Sequence, residues 1–171
     1  KIIPNLADSD SQASAKLITS LISKSDANVS ESVITATTGL IEKWSRADAS
    51  SAAIWAESLP QGSTKSRAYQ SLTKQWLAQD REKASAWVNS LPKGEMRDVG
   101  VNQIIAATQH TEPDTAFKWA SSLSNSSQRL SRLRSVVRRW KNTDPAKARA
   151  AIEQANLTEA EHRNLTRTLD Q

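Results

Sequence analysis

The chain has 171 residues, a formal net charge of +5 and no cysteine, and only 37% of its residues are hydrophobic and 5% aromatic. Without cysteine it cannot form disulfides, thiolate nucleophiles or cysteine-ligated metal sites, and this composition is compatible with an exported or periplasmic protein. No apolar run approaches the roughly 20 residues that cross a bilayer, and the small apolar content favours an elongated helical repeat over a globule with a deep core.

The first predicted element is an N-terminal capping helix over residues 9–25, preceded by an irregular segment over residues 1–8. Apolar residues recur in this helix at the three- and four-residue spacing of one helix face. They are Ala13, Leu17, Ile18, Leu21 and Ile22. A second helical pattern ends near Trp44, and the two segments together predict a capping hairpin over residues 9–46.

A 32-residue repeat follows, and we call each set of positions at this interval a column. The first tryptophan column contains Trp55, Trp87 and Trp119, and the leucine column contains Leu59, Leu91 and Leu123. The second tryptophan column contains Trp44, Trp76, Thr108 and Trp140, and the acidic column contains Asp48, Asp80, Glu112 and Asp144. The last copy has Ala151 and Ala155 in the first tryptophan column and the leucine column, which is the weakening expected of a terminal repeat.

Each copy is predicted to be a helical hairpin. An acidic residue at the start is a good N-cap, and Pro113 and Pro145 follow two of these residues at the first helical position, where a missing N–H costs nothing. Leu-Pro-x-Gly sequences at 59–62 and 91–94 end a short helix of about 11 residues, and a longer helix of about 15 follows. The predicted repeats are 48–78, 80–109 and 112–141, with a C-terminal hairpin over 144–170.

The predicted fold class is therefore all-α. We expect an α-solenoid, a superhelical stack of about five antiparallel helical hairpins, as a single domain over residues 1–171. All six tryptophans lie on the apolar stripes of these helices, so we expect them to be mostly buried between helices.

A basic column, Lys65, Arg97 and Arg129, lies near the start of each long helix. Cations at a helix N-terminus oppose the helix dipole, so these side chains need another partner. We expect a carboxylate of the neighbouring repeat, with an acidic binding partner as the alternative.

The hairpin repeat resembles the tetratricopeptide class of α-solenoids. The resemblance is carried by Asp144-Pro145 with Ala148, by Glu112-Pro113 with Ala116, and by the tryptophan columns, and it covers about residues 30–170. The 32-residue interval and the Leu-Pro-x-Gly turn are more similar to Trp/Asp-Pro/Leu-Pro-Gly repeats of bacterial proteins. The resemblance implies a solenoid architecture and partner binding, and it supplies no catalytic residue.

The sequence favours a protein that is not an enzyme. Its two histidines, His110 and His162, are about 50 residues apart in sequence, and they form no metal-binding or catalytic spacing. No Gly-x-Ser-x-Gly, phosphate-binding glycine loop or dinucleotide motif is present. We therefore predict no catalytic residue, no metal site and no cofactor.

Two groups of residues are candidates for partner binding. The first is a basic cluster over residues 129–149, in a C-terminal segment, 126–171, with ten basic and five acidic residues. Its members are Arg129, Arg132, Arg134, Arg138, Arg139, Lys141, Lys147 and Arg149. The second group follows the exposed side of the short helices and includes Glu57, Asn89 and Phe117, although Phe117 could equally pack against a long helix.

The main functional hypothesis is a protein-interaction scaffold that binds a peptide or protein in the solenoid groove. The alternative partner is a polyanion, either nucleic acid or an acidic glycan, bound by the basic cluster. A third reading is the superhelical arm of a larger enzyme, suggested by a start without methionine and a last helix that stops before the next tryptophan position. The sequence leaves the oligomeric state open.

Overall fold

The computed structural model describes residues 6–24 and 29–171, with side chains from residue 10 onward. In this part of the chain every regular element is an α-helix and no strand is present. The helices are α1 (Leu6–Lys24), α2 (Glu31–Ser58), α3 (Ser63–Gln79), α4 (Arg81–Ser90), α5 (Glu95–Thr108), α6 (Pro113–Ser121), α7 (Ser126–Trp140), α8 (Pro145–Gln154) and α9 (Glu159–Asp170). The all-α fold class is confirmed.

Contacts divide the chain into two compact units, 1–87 and 88–171, with the boundary inside α4. In the first unit, α2 packs against both α1 and α3. In the second unit, α6 packs against α5, α7 and α8, and α9 packs against α7 and α8. Short and long helices alternate in this second unit, as the repeat predicts.

Helix α1 differs from its prediction in its start and in its buried face. It begins at Leu6, so residues 6–8, predicted to be irregular, are helical, while residues 1–5 lie outside the described part of the chain. Ile18 and Ile22 are buried as expected, but Leu17 is 64% exposed and Leu21 45%. The buried face is turned by part of a helical turn because Ser11 and Ala15 pack inward, where small residues let two helices approach closely.

The acidic column has one backbone conformation in all four copies. The φ and ψ angles are −151° and 93° at Asp48, −150° and 94° at Asp80, −137° and 63° at Glu112, and −154° and 82° at Asp144. Three carboxylates cap a helical segment, each accepting the N–H three residues later at 3.0 Å. Asp80 and Asp144 precede α4 and α8, whereas the non-helical φ and ψ of Asp48 divide α2 into a longer and a shorter segment. Glu112 makes no such bond, so the capping prediction is wrong for its side chain. A glutamate at this position has one methylene more than aspartate, and that length does not suit the short reach of an N-cap.

The two Leu-Pro-x-Gly turns are also alike. Gly62 and Gly94 have φ angles of 137° and 148°, a region that other residues rarely adopt. The next turn reads Leu123-Ser124-Asn125-Ser126 and lacks both the proline and the glycine. This turn therefore needs another means of support.

Asp98 in α5 supplies that support. Its carboxylate is buried, at 4% exposure, and accepts the Ser124 N–H at 2.9 and 3.0 Å and the Asn125 N–H at 2.9 Å. Where proline would have no N–H to satisfy, Ser124 has one, and Asp98 accepts it. The substitution in the turn and the acidic residue in α5 are thus complementary.

The tryptophans fill the space between helices, as predicted. Trp44, Trp55, Trp76 and Trp140 are buried, and Trp87 and Trp119 are half-buried. Members of the two tryptophan columns pack on each other in the first unit, with ring centroids 6.1 Å apart for Trp44 and Trp55 and 5.7 Å for Trp76 and Trp87. Such tilted ring pairs add to the stabilisation from burial.

The basic column bonds mainly to carbonyl groups at the ends of short helices. Lys65 donates to the carbonyl of Glu57 at 2.6 Å, Arg97 to that of Ser122 at 3.0 Å, and Arg129 to that of Leu123 at 3.2 Å. A cation at a helix C-terminus is favourable because the carbonyl groups there carry partial negative charge. Among the described residues, a carboxylate partner is confirmed only for Arg129, which pairs with Glu161 at 2.7 Å.

Glu161 gives this pairing a testable pH dependence. Burial raises the pKa of Glu161, but bonds from the Thr158 N–H, the Arg129 guanidinium and the Thr158 hydroxyl outweigh burial and leave the pKa below its ordinary value. A carboxyl whose pKa is lower in the folded state stabilises the fold above its unfolded pKa, and this contribution is lost as the pH falls through the folded pKa.

We expect Glu161→Gln to lower the free energy of unfolding by about 1–3 kcal/mol at neutral pH, because the Arg129 guanidinium loses its carboxylate. In urea denaturation, this deficit should stay constant above about pH 5 and shrink as the pH falls further. Glu153→Gln, at an exposed glutamate with no bond in the described structure, is the matched control. A Glu161→Gln deficit that is the same at acidic and neutral pH would contradict the assignment.

Candidate partner-binding groove

An open groove lies between the short helices α6 and α8 of the second unit, with a volume of about 510 Å³. We call it the α6–α8 groove. Its lining residues are Asp114, Phe117, Lys118, Ser121, Trp140, Ala151, Gln154, Ala155 and Asn156. The volume is within the range of roughly 300–1,000 Å³ that is typical of ligand-binding clefts.

The floor of the groove is apolar. Phe117 and Trp140 are buried, and their ring centroids are 6.2 Å apart. Ala151 and Ala155 are half-buried on the α8 side. Burying an apolar ligand group on such a surface is favourable at roughly 25 cal/mol per Å² removed from water.

The rim of the groove is polar and available for bonding. Asp114 and Lys118 on α6, and Gln154 and Asn156 at the end of α8, are exposed and form no hydrogen bond or ion pair with the described residues. The two amides each offer both a donor and an acceptor, the combination that pairs with a peptide group. The groove can therefore hold apolar groups on its floor and peptide groups at its edge.

No family model, curated protein or solved structure matches the chain.

The predicted short-helix candidates are only partly brought together. Phe117 packs against Trp140, as one of its two predicted roles requires, and it also lines the floor of the groove. Glu57 and Asn89 do not line the α6–α8 groove. Glu57 instead accepts the indole N–H of Trp87 at 2.8 Å, within the first unit.

Most of the basic cluster is engaged within the fold. Arg132 donates to the Asn102 side chain at 2.7 Å, and Arg139 contacts His110 at 3.5 Å. Lys141, Lys147 and Arg149 bond to the Thr168 carbonyl, to Asp144 and to Asp170. Arg134 and Arg138 are exposed and form no bond with the described residues.

The sequence did not identify Gln154, Asn156 or Trp140 as groove residues. The available signal was the interruption of two columns at Ala151 and Ala155, which we interpreted as a weakened end repeat. The structure places this interruption at the groove.

The first unit has a smaller opening between α1 and α2, of about 400 Å³. Trp44 and Trp55 line it together with Thr19, and the indole N–H of Trp55 donates to the Thr19 hydroxyl at 3.2 Å. The tryptophan columns are both occupied here, in contrast to the α6–α8 groove.

The described residues contain neither a cluster of metal-ligand side chains nor a candidate membrane-spanning helix. Over residues 6–24 and 29–171, no three histidine, aspartate or glutamate side chains are grouped as metal ligands would be. In the same part of the chain, no helix combines the length and hydropathy needed to span a membrane.

Proposed function

We propose that the protein is a non-catalytic interaction module that binds a peptide segment of another protein in the α6–α8 groove. The observation that carries the proposal is the groove itself, with an apolar floor next to an unpaired polar rim. A peptide in this groove buries apolar side chains against Phe117 and Trp140, and its main chain bonds to Gln154 and Asn156.

The repeat supports the architectural part of the proposal. The shared conformation of the acidic column and the alternation of short and long helices support hairpins of the α-solenoid class. In such hairpins the short helices present one face that is available to a partner.

The lining of the groove favours binding over catalysis. Its ionisable side chains are Asp114 and Lys118, both on the exposed rim. Ser121 is the single hydroxyl-bearing residue in the lining, and its hydroxyl donates to the Phe117 carbonyl at 2.9 Å, which is no general base.

Peptide binding is also favoured over the polyanion alternative. A phosphate-binding surface needs several cations that are available together, and most of the basic cluster already bonds to the fold. None of its residues lines the groove. Arg134 and Arg138 supply positive charge that attracts an acidic partner without forming a pocket.

A selection from a random peptide-display library, with the full chain as target, tests the proposal. We expect enriched peptides to shift the backbone amide resonances of Phe117, Ser121 and Ala155. The double variant Gln154→Ala, Asn156→Ala should weaken their binding about ten-fold or more, because two hydrogen bonds of about 1 kcal/mol each are lost. Calorimetry measures this change.

The matched control is Asn142→Ala, at an exposed amide of the same unit that lies outside the groove lining. It should leave the affinity unchanged. A library that yields no binder, or binders that shift resonances elsewhere and are unaffected by the double variant, would refute peptide binding in this groove.

A further inference from the structure

The α6–α8 groove lies where the repeat omits two large side chains. The first tryptophan column has tryptophan in three copies and Ala151 in the last. The leucine column likewise has leucine in three copies and Ala155 in the last. Both alanines line the groove.

The local backbone makes these positions comparable. Asp80 and Asp144 have nearly the same φ and ψ angles and the same cap, each accepting an N–H at 3.0 Å. Trp87 is seven residues after the first of these caps, and Ala151 is seven residues after the second. The two residues therefore occupy the same position on α4 and α8.

The residue that would contact an indole at position 151 is present in the chain, and it is Trp140. In the first unit the two columns pair, because the ring of Trp87 packs on that of Trp76. Trp140 is the counterpart of Trp76, and it lines the groove beside Ala151. Trp140 thus has a small side chain where its counterpart has an indole.

Ser121 can also accept a hydrogen bond from an aromatic group in the groove. The indole N–H of Trp87 donates to Glu57, which is 30 residues earlier in the chain. The residue 30 before Ala151 is Ser121, and it lines the groove. Its hydroxyl donates to the Phe117 carbonyl and keeps lone pairs that can accept an N–H.

We propose that the α6–α8 groove receives an aromatic side chain of the bound peptide, with tryptophan preferred. This inference rests on the proposed function and specifies its ligand. The ring packs on Trp140 and Phe117 in the place that Trp87 occupies in its own repeat, and its N–H donates to Ser121.

Charge defines the residues that flank this aromatic group. Lys118 and Asp114 offset each other at the rim, whereas residues 126–171 contain ten basic and five acidic residues. The peptide that complements this basic segment is therefore acidic. The partner is thus an acidic peptide segment with one aromatic side chain.

Ala151→Trp tests the inference by filling the groove with a side chain of the protein itself. The introduced indole restores the column, contacts Trp140 and occupies the groove. We expect the variant to fold with at least the stability of the parent and to bind the peptide at least ten-fold more weakly. Ala160→Trp, at an exposed alanine of the same unit, is the matched control and should bind as the parent does.

The peptide probes are nine residues long, with a central tryptophan and two aspartates on each side. Versions with central phenylalanine, leucine or alanine, and one with lysines for the aspartates, complete the set. Fluorescence polarisation with the full chain should rank tryptophan first, with a loss of about ten-fold or more on change to alanine. The lysine version should bind more weakly, and this difference should decrease as salt rises.

The outcomes separate the two proposals. Leucine or alanine probes that bind as tightly as the tryptophan probe would overturn the aromatic inference and leave peptide binding intact. The same holds if library-selected peptides occupy the groove while no probe does. If neither the selected peptides nor the probes shift groove resonances, both proposals fail.

Discussion

Replacing Asp98 with alanine is expected to destabilise the second unit by about 3 kcal/mol or more. The carboxylate is buried and is the described acceptor for the N–H groups of Ser124 and Asn125. A hydrogen bond to a charged group contributes roughly 1.5–3 kcal/mol, and this change removes the bonds that Asp98 accepts from two N–H groups. Urea denaturation measures the loss, and exchange of the Ser126–Trp140 amide hydrogens should accelerate because the turn before α7 is released.

Asp114→Ala is the control for this prediction, since it removes an exposed aspartate from the same unit. Its effect should stay below about 1 kcal/mol. A change of similar size for both variants would show that Asp98 contributes no more than a surface charge.

The chain itself suggests a compensating change. Pro60 and Pro92 occupy the position of Ser124 in the other two turns. Ser124→Pro in the Asp98→Ala background removes one of the two N–H groups that lost their acceptor and restricts the unfolded chain, so it should recover about 0.4–1 kcal/mol. The same proline in the parent chain deletes a hydrogen bond and should not stabilise it.

The sequence predicted most helix boundaries because their signals are local. A cap, a proline or a glycine acts within a few residues, so Asp80, Pro113 and Gly94 were informative without knowledge of the tertiary structure. The burial of the tryptophans could be predicted for a similar reason, since each lies on an apolar stripe of its own helix.

Features that depend on contacts between distant residues could not be predicted in the same way. Asp98 belongs to no column, as Ser66 and Leu130 occupy the equivalent positions, so the repeat gave no reason to select it. Its bond partners are 26 and 27 residues away. The missing proline at Ser124 was the one sign that such a partner was needed.

The sequence predicted neither the buried face of α1 nor the presence of the groove. Both depend on which residues a neighbouring helix covers in the folded protein. Leu17 and Ile18 are adjacent in sequence, yet one is exposed and the other buried. Spacing alone defines an apolar stripe to within about one residue on either side. Likewise, Ala151 indicates a vacant position only when Trp140 is known to lie beside it in the fold.

The remaining large effect is expected for Trp140→Ala. Trp140 is 4% exposed and packs on Phe117, and removing a buried tryptophan side chain typically costs about 3–5 kcal/mol. Ala151 cannot fill the space, so the cavity would join the groove. Urea denaturation should show this loss, whereas Trp119→Ala, at a half-buried tryptophan of the same unit, should cost less. Equal losses for the two variants would contradict the central position assigned to Trp140 and, with it, the aromatic floor on which the groove depends.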